Sequence, residues 1–219
     1  MRMRILFACC AALAALIMTL PSLAANSSNA TTCTGTLAPG TYKRVVVPDG
    51  ASCVTFAGTV TIKGGVFVGA GATFVLGSEE NPVHTGTISG GVRSQNAASV
   101  QIHFSTINGG VNLTGGAGPF GGPFEITWNT IEDSVINGSA NITGYDGFWQ
   151  GFFRNTVNGT VNFNNNTVID PDGNEVQTNT IHGNLNCSGN TPAPHQGDSE
   201  GSPNNVTGQK TGQCTGVGV

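Results

Sequence analysis

The chain has 219 residues, 33 of them glycine, with 9% charged residues and a formal net charge of −4. Glycine is about twice its usual share and charge falls far below the usual ~25%, yet no three-residue period is present. That excludes a collagen-like rod, a coiled coil, a charge-driven disordered tail and a basic nucleic-acid binder, and the length suits one domain or one repeat array.

In chain order, Arg2 and Arg4 precede an apolar run from Ile5 to Leu20, which Pro21 ends, and Ser22 and Ala24 supply the small residues of a cleavage site. This pattern predicts a signal peptide over 1–24 rather than a retained membrane anchor. Its removal leaves six basic and twelve acidic residues. The expectations are a secreted protein at the cell surface, in the periplasm or outside the cell, with no membrane span after cleavage. An acidic chain disfavours nucleic acid as a partner.

Four cysteines then remain: Cys33, Cys53, Cys187 and Cys214. An even count in an exported chain reads as two disulfides, with three possible pairings. Cys33–Cys53 and Cys187–Cys214 are favoured because each pair sits at one end of the chain. A metal site is disfavoured because no Cys-x-x-Cys pair exists.

Between the cysteine pairs a phrase recurs. It begins at Thr61-Ile62-Lys63-Gly64-Gly65-Val66 and returns at Thr87, Thr106, Thr130, Thr156 and Thr180, with a worn copy from Asn205; the spacings are 26, 19, 24, 26, 24 and 25 residues. Short β-rich units at this period are the signature of a solenoid. Alternation places Ile62, Ile88, Ile107, Ile131, Val157 and Ile181 on one interior column. Val66, Val92, Val111, Val135, Val161 and Leu185 fall on a second. The residues before each Thr (Ser105, Asn129, Asn155, Asn179 and Asn204) read as a structural ladder at a bend, since asparagine tolerates left-handed backbone and stacked amides bond to one another. An outward Thr also recurs, but the next outward position varies, so a uniform Thr face of the ice-binding kind is not expected.

With these coils, the chain resembles the right-handed parallel β-helix fold. It is most similar to secreted bacterial proteins whose coils repeat Thr-Ile-x-Gly-Asn-Val and which close on a cysteine-containing cap. The matching residues are Asn186-Cys187-Ser188-Gly189-Asn190-Thr191-Pro192-Ala193-Pro194 and Gly212-Gln213-Cys214, with Cys33-Thr34-Gly35-Thr36 and Val45 to Cys53 at the start. The resemblance implies an all-β, right-handed, single-stranded solenoid of roughly seven short coils. It implies export, and no particular activity. The organisation expected is a signal peptide over 1–24, an N-terminal segment with a cap cysteine over 25–40, coils over 41–187, and a polar loop with a disulfide-tied cap over 188–219.

Chemistry on such a scaffold needs converging carboxylates, often with Arg, Lys or His. Asp146, Arg154, Asp170, Asp172 and Glu175 fall near bends. Glu132 and Asp133 are neighbours whose side chains, in a strand, point to opposite faces. Asp170-Pro171-Asp172-Gly173 reads as a turn before it reads as a calcium loop. His84, His103, His182 and His195 have no metal spacing. His103 and His182 alternate with inward residues and are expected to face solvent.

Eight of the fifteen aromatic residues lie between Phe120 and Phe153. Phe124 and Phe152 fall on inward positions, and Trp128 aligns with the corner residues Phe104, Arg154 and Thr178. Gly144 to Gly151 reads as an inserted loop, which makes Trp128, Tyr145, Phe148 and Trp149 the candidate contact residues for a sugar ring or a protein partner. The competing reading is a loop that merely covers the coil beneath it. The expectation is a monomeric, cofactor-free, non-catalytic binding or scaffold module, recognising a glycan or another surface protein. The rival is a polysaccharide lyase or hydrolase.

Overall fold

The computed structural model describes residues 29–55, 57–117, 128–198 and 201–216; the signal-peptide segment, Phe120 and Phe124 lie outside them. The described strands are short and pair only in parallel, in sheets of nine, eight, six and two strands, with one 3₁₀ turn over Gln213–Thr215. Successive coils each add one strand to a sheet, building a parallel β-solenoid of about seven turns. We call the nine-stranded sheet A, the six-stranded sheet B and the eight-stranded sheet C. Thr31–Thr32 opens sheet A and Lys210–Gly212 closes it.

The coil phrase accounts for two of these sheets. In sheet C an outward residue, Thr in most coils, precedes an inward β-branched one, so that Ile62, Ile88, Ile107, Ile136, Val157 and Ile181 stack in register and are fully buried. Each such side chain stabilises the fold by about 1.5–3 kcal/mol relative to exposure. A tight bend follows, and sheet A then begins on Val45, Val66, Val92, Val111, Ala140, Val161 and Leu185. At the bend the backbones of successive coils touch. Gly109 donates its N–H to Gly90 O at 2.8 Å, and a Cβ on Gly109 would lie 2.5 Å from that oxygen. Only glycine fits there.

This bend corrects the fourth copy of the repeat. Ile136, not Ile131, occupies the sheet C column, and Ala140, not Val135, the sheet A column. Val135 is the outward, exposed member of its strand. Glu132-Asp133 has no glycine for the close approach, whereas Gly138 has: its N–H reaches Gly109 O at 3.0 Å. Ile131 belongs to sheet B, where it stacks between Ile102 and Phe152. The start-to-start spacings become 26, 19, 29, 21, 24 and 25 residues, from Thr61 through Val135 to Asn205.

The ladder is corrected in the same way. Ser105, Ser134, Asn155, Asn179 and Asn204 follow one another, each side chain accepting the backbone N–H of its predecessor at 2.9–3.1 Å. Asn155, Asn179 and Asn204 also donate to the carbonyls of Ile131, Phe152 and Val176. Asn129 lies inside the Trp128–Glu132 strand and instead accepts the N–H of Val100 at 2.7 Å. The first four rungs each follow a left-handed residue, namely Phe104, Asp133, Arg154 and Thr178. The fourth-coil member of that corner is therefore Asp133, not Trp128. A second ladder joins Tyr145, Asn166, Asn190 and Gln213.

Disulfides Cys33–Cys53 and Cys187–Cys214 sit at the two ends of the stack, with sequence separations of 20 and 27. Such bonds belong to an oxidising environment of the extracellular kind. No helix among the described residues is long and apolar enough to cross a membrane.

Candidate functional site: an aromatic groove on sheet B

Sheet B alternates like any strand set, with Val100, Ile102, Ile131, Phe152 and Val176 inward. Its outward positions form rows across neighbouring coils. Trp128 pairs with Trp149; Gln101, Thr130, Gly151 and Glu175 form one row, and His103, Glu132, Phe153 and Gln177 the next. Outward is not solvent here: His103 is 2% and Glu132 1% exposed. The expectation that His103 faces water fails because its ring turns along the sheet onto Glu132, Nδ1 lying 2.6 Å from Oε1. His182 is exposed, while His84 accepts the N–H of Gly58.

Glu132 is held from both sides. Its second oxygen accepts Arg154 Nη2 at 2.7 Å, and the same guanidinium clasps Asp133 through Nε at 2.8 Å and Nη2 at 2.7 Å. Because Asp133 is the left-handed corner residue, both neighbouring carboxylates reach one guanidinium, against the expectation that they diverge. The hydrogen bond to Asp133 and the two negative charges hold Arg154 above its ordinary pKa, against partial burial. The guanidinium carbon also lies 4.6 Å from the centre of the Phe153 ring. Phe153 meets Trp149 edge-on at 6.0 Å, and Trp149 Nε1 donates to Glu175 at 3.1 Å.

These side chains enclose a groove of about 250 Å³, walled by Trp128, Phe148, Trp149 and Phe153, with Thr130, Glu132 and Glu79. Trp128 and Phe148 are 37% and 42% exposed, so the aromatic wall is open to a ligand. Glu79 arrives from the segment after the Thr73–Leu76 strand. The Glu79 side chain is exposed, yet partial burial at the groove and the charge of Glu132 raise its pKa, while His103 and Arg154 pull it down. Thr130 is 3% exposed, and its hydroxyl has no hydrogen-bond partner among the described residues.

Of the four contact residues expected from sequence, Trp128, Phe148 and Trp149 come together here. Tyr145 does not. The 144–151 segment is no inserted loop: Asp146–Gly147 pairs with Thr167–Val168, and Trp149–Phe153 is a sheet B strand. This pairing leaves Tyr145 buried to 1% exposure, its hydroxyl without a partner among the described residues. Asp146 and Asp170 do not line the groove, and Asp170 closes the expected turn, accepting the N–H of Gly173 at 2.9 Å. Glu175 is buried beneath Trp149. Among the described residues no group of three His, Cys, Asp or Glu is placed to hold a metal ion. Glu79 was missed because it carries no repeat signal.

Burial raises the Tyr145 pKa. The unfolded phenol ionises near its ordinary value of ~10, so stability present below that pH is lost as pH rises above it. Tyr145→Phe removes the unpaired hydroxyl and is expected to stabilise the chain by about 1 kcal/mol, with a flatter loss in alkali. Urea unfolding from neutral to alkaline pH checks both; a clear destabilisation would mean that the hydroxyl has a partner.

The fold and this groove define a class: a disulfide-capped parallel β-solenoid with an aromatic-walled groove on one sheet. Comparison of the chain with protein-family models, curated proteins and solved structures finds no match.

Proposed function

We propose that this is an exported, monomeric, non-catalytic β-solenoid that binds a glycan through the sheet B groove. The carrying observation is the groove lined by Trp128, Phe148, Trp149 and Phe153, the first two of them exposed, beside polar groups, the combination that recognises a sugar ring. Binding is favoured over chemistry because both oxygens of Glu132 are already engaged by cationic or imidazole nitrogen. Export is supported by the disulfides and by the N-terminal pattern of basic, apolar and small residues.

One observation favours the rival enzyme. Glu79 and Glu132 share the groove, a convergence absent from the sequence pattern. Titration with a panel of soluble polysaccharides and cell-wall fragments, read by tryptophan fluorescence, tests the first reading. A saturable shift that Trp128→Ala abolishes, without release of reducing ends, is expected. Depolymerisation abolished by Glu79→Gln would transfer the function to the enzyme, and no response to any glycan would remove the binding reading.

A further inference from the structure

We propose that the groove takes an organic cation, an alkyl- or quaternary ammonium group, held against its aromatic wall and balanced by Glu79. This rests on the reading of the groove as a binding site and names the chemistry it selects.

The aromatic wall supplies the first half of the argument. Aromatic faces are negative and attract cations, most strongly on tryptophan. The in-register pair Trp128 and Trp149 brings two indoles from neighbouring coils to one groove, and Phe148 and Phe153 complete the wall. The cluster already hosts one cation, since Arg154 lies over the Phe153 ring at 4.6 Å.

Charge supplies the second half. Glu132 is compensated by Arg154 and hydrogen-bonded to His103. Glu79 shares the groove but makes no ion pair among the described residues, and the charge of Glu132 acts on it. A carboxylate beside apolar rings and a second carboxylate is relieved by a cation. Thr130 lines the same wall, with a buried hydroxyl that has no hydrogen-bond partner among the described residues. The size also fits. A groove of about 250 Å³ falls below the ~300–1,000 Å³ of sites for drug-sized ligands and suits one head group or one sugar ring.

Two sources carry this chemistry: a free quaternary amine, and the amino groups of a deacetylated amino-sugar polymer. The test titrates the intact chain with choline chloride, glucosamine oligosaccharides, and N-acetylglucosamine oligosaccharides of equal length. It is read by calorimetry and tryptophan fluorescence, at a pH where the sugar amine is protonated and Glu79 ionised. Saturable binding of a cationic probe, absent with the N-acetylated oligomer, is expected. Glu79→Gln should weaken it at least about tenfold, and added salt should weaken it further. Glu79 is exposed, so an unchanged melting temperature in the variant separates lost recognition from lost fold. Choline binding alone would assign the free amine, and glucosamine-oligomer binding alone the polymer; either supports the proposal. Equal affinity for the N-acetylated oligomer, or an unchanged Glu79→Gln variant, would overturn the cation and leave a glycan groove standing. No binding of any of the three probes would overturn the cation site, and the broader polysaccharide panel then decides the glycan reading separately.

Discussion

Glu132→Ala is expected to destabilise the folded chain by about 1.5–3 kcal/mol, the range for losing a buried hydrogen bond to a charged group. The loss is not that of a surface salt bridge. His103 is left 2% exposed, with its Nδ1 partner gone. Arg154 keeps Asp133 and is 42% exposed, so its share is discounted for solvent screening. Glu132→Gln retains the shape and one acceptor, and should fall between wild type and alanine. Urea unfolding midpoints of the three proteins decide the matter. A Glu132→Ala variant within about 1 kcal/mol of wild type would show that the cluster contributes little beyond its packing.

Asn179→Ala is the second large effect. This side chain accepts the N–H of Asn155 at 2.9 Å, and its amide donates to Phe152 O and to Asn204 Oδ1, each at 2.7 Å. Truncation strands two buried backbone groups, at about 1–3 kcal/mol each, so a loss on the order of 2–5 kcal/mol is expected. Asn129→Ala strands only the N–H of Val100 and should cost less. Asn158, whose exposed amide donates to Asn137 at 2.7 Å, should change stability by no more than about 0.5 kcal/mol. Thermal denaturation of the three alanine variants checks this ranking. Equal effects at Asn179 and Asn158 would remove the distinction between ladder and surface amides.

The solenoid was legible because its repeat is a direct record of packing. An inward β-branched residue, a bend without room for a Cβ and a second inward residue recur in nearly every coil. The fourth coil misled because sheet B carries its own inward isoleucine, Ile131, after a threonine. Two β-branched dipeptides in one coil, Thr130-Ile131 and Val135-Ile136, cannot be told apart by period alone. The glycine two residues after Ile136 tells them apart, since the sterics of the bend demand it.

The site was legible only in part. Aromatic density points to Trp128, Phe148 and Trp149, which line the candidate groove, but groups Tyr145 with them because pairing at Asp146–Gly147 leaves no mark on hydropathy. His103 takes the outward face that alternation predicts but is buried there. Alternation specifies which side of a sheet a residue occupies, not what covers that side. Glu79 meets Glu132 only because different coils stack on one another, and sequence proximity carries no trace of such a meeting.

The two disulfides acquire a further meaning in a stack of this kind. Every interior coil is held by two neighbours, whereas a terminal coil has one, so dissolution of the stack is a zipper opening from its ends. Cys33–Cys53 and Cys187–Cys214 fasten those two ends and leave the middle to its ladders and apolar columns. Covalent clasps are thus spent where fraying begins. Oxidation of the terminal thiols converts an array of weakly autonomous rungs into a body that gives way as a whole, and reduction frees the zipper at either end.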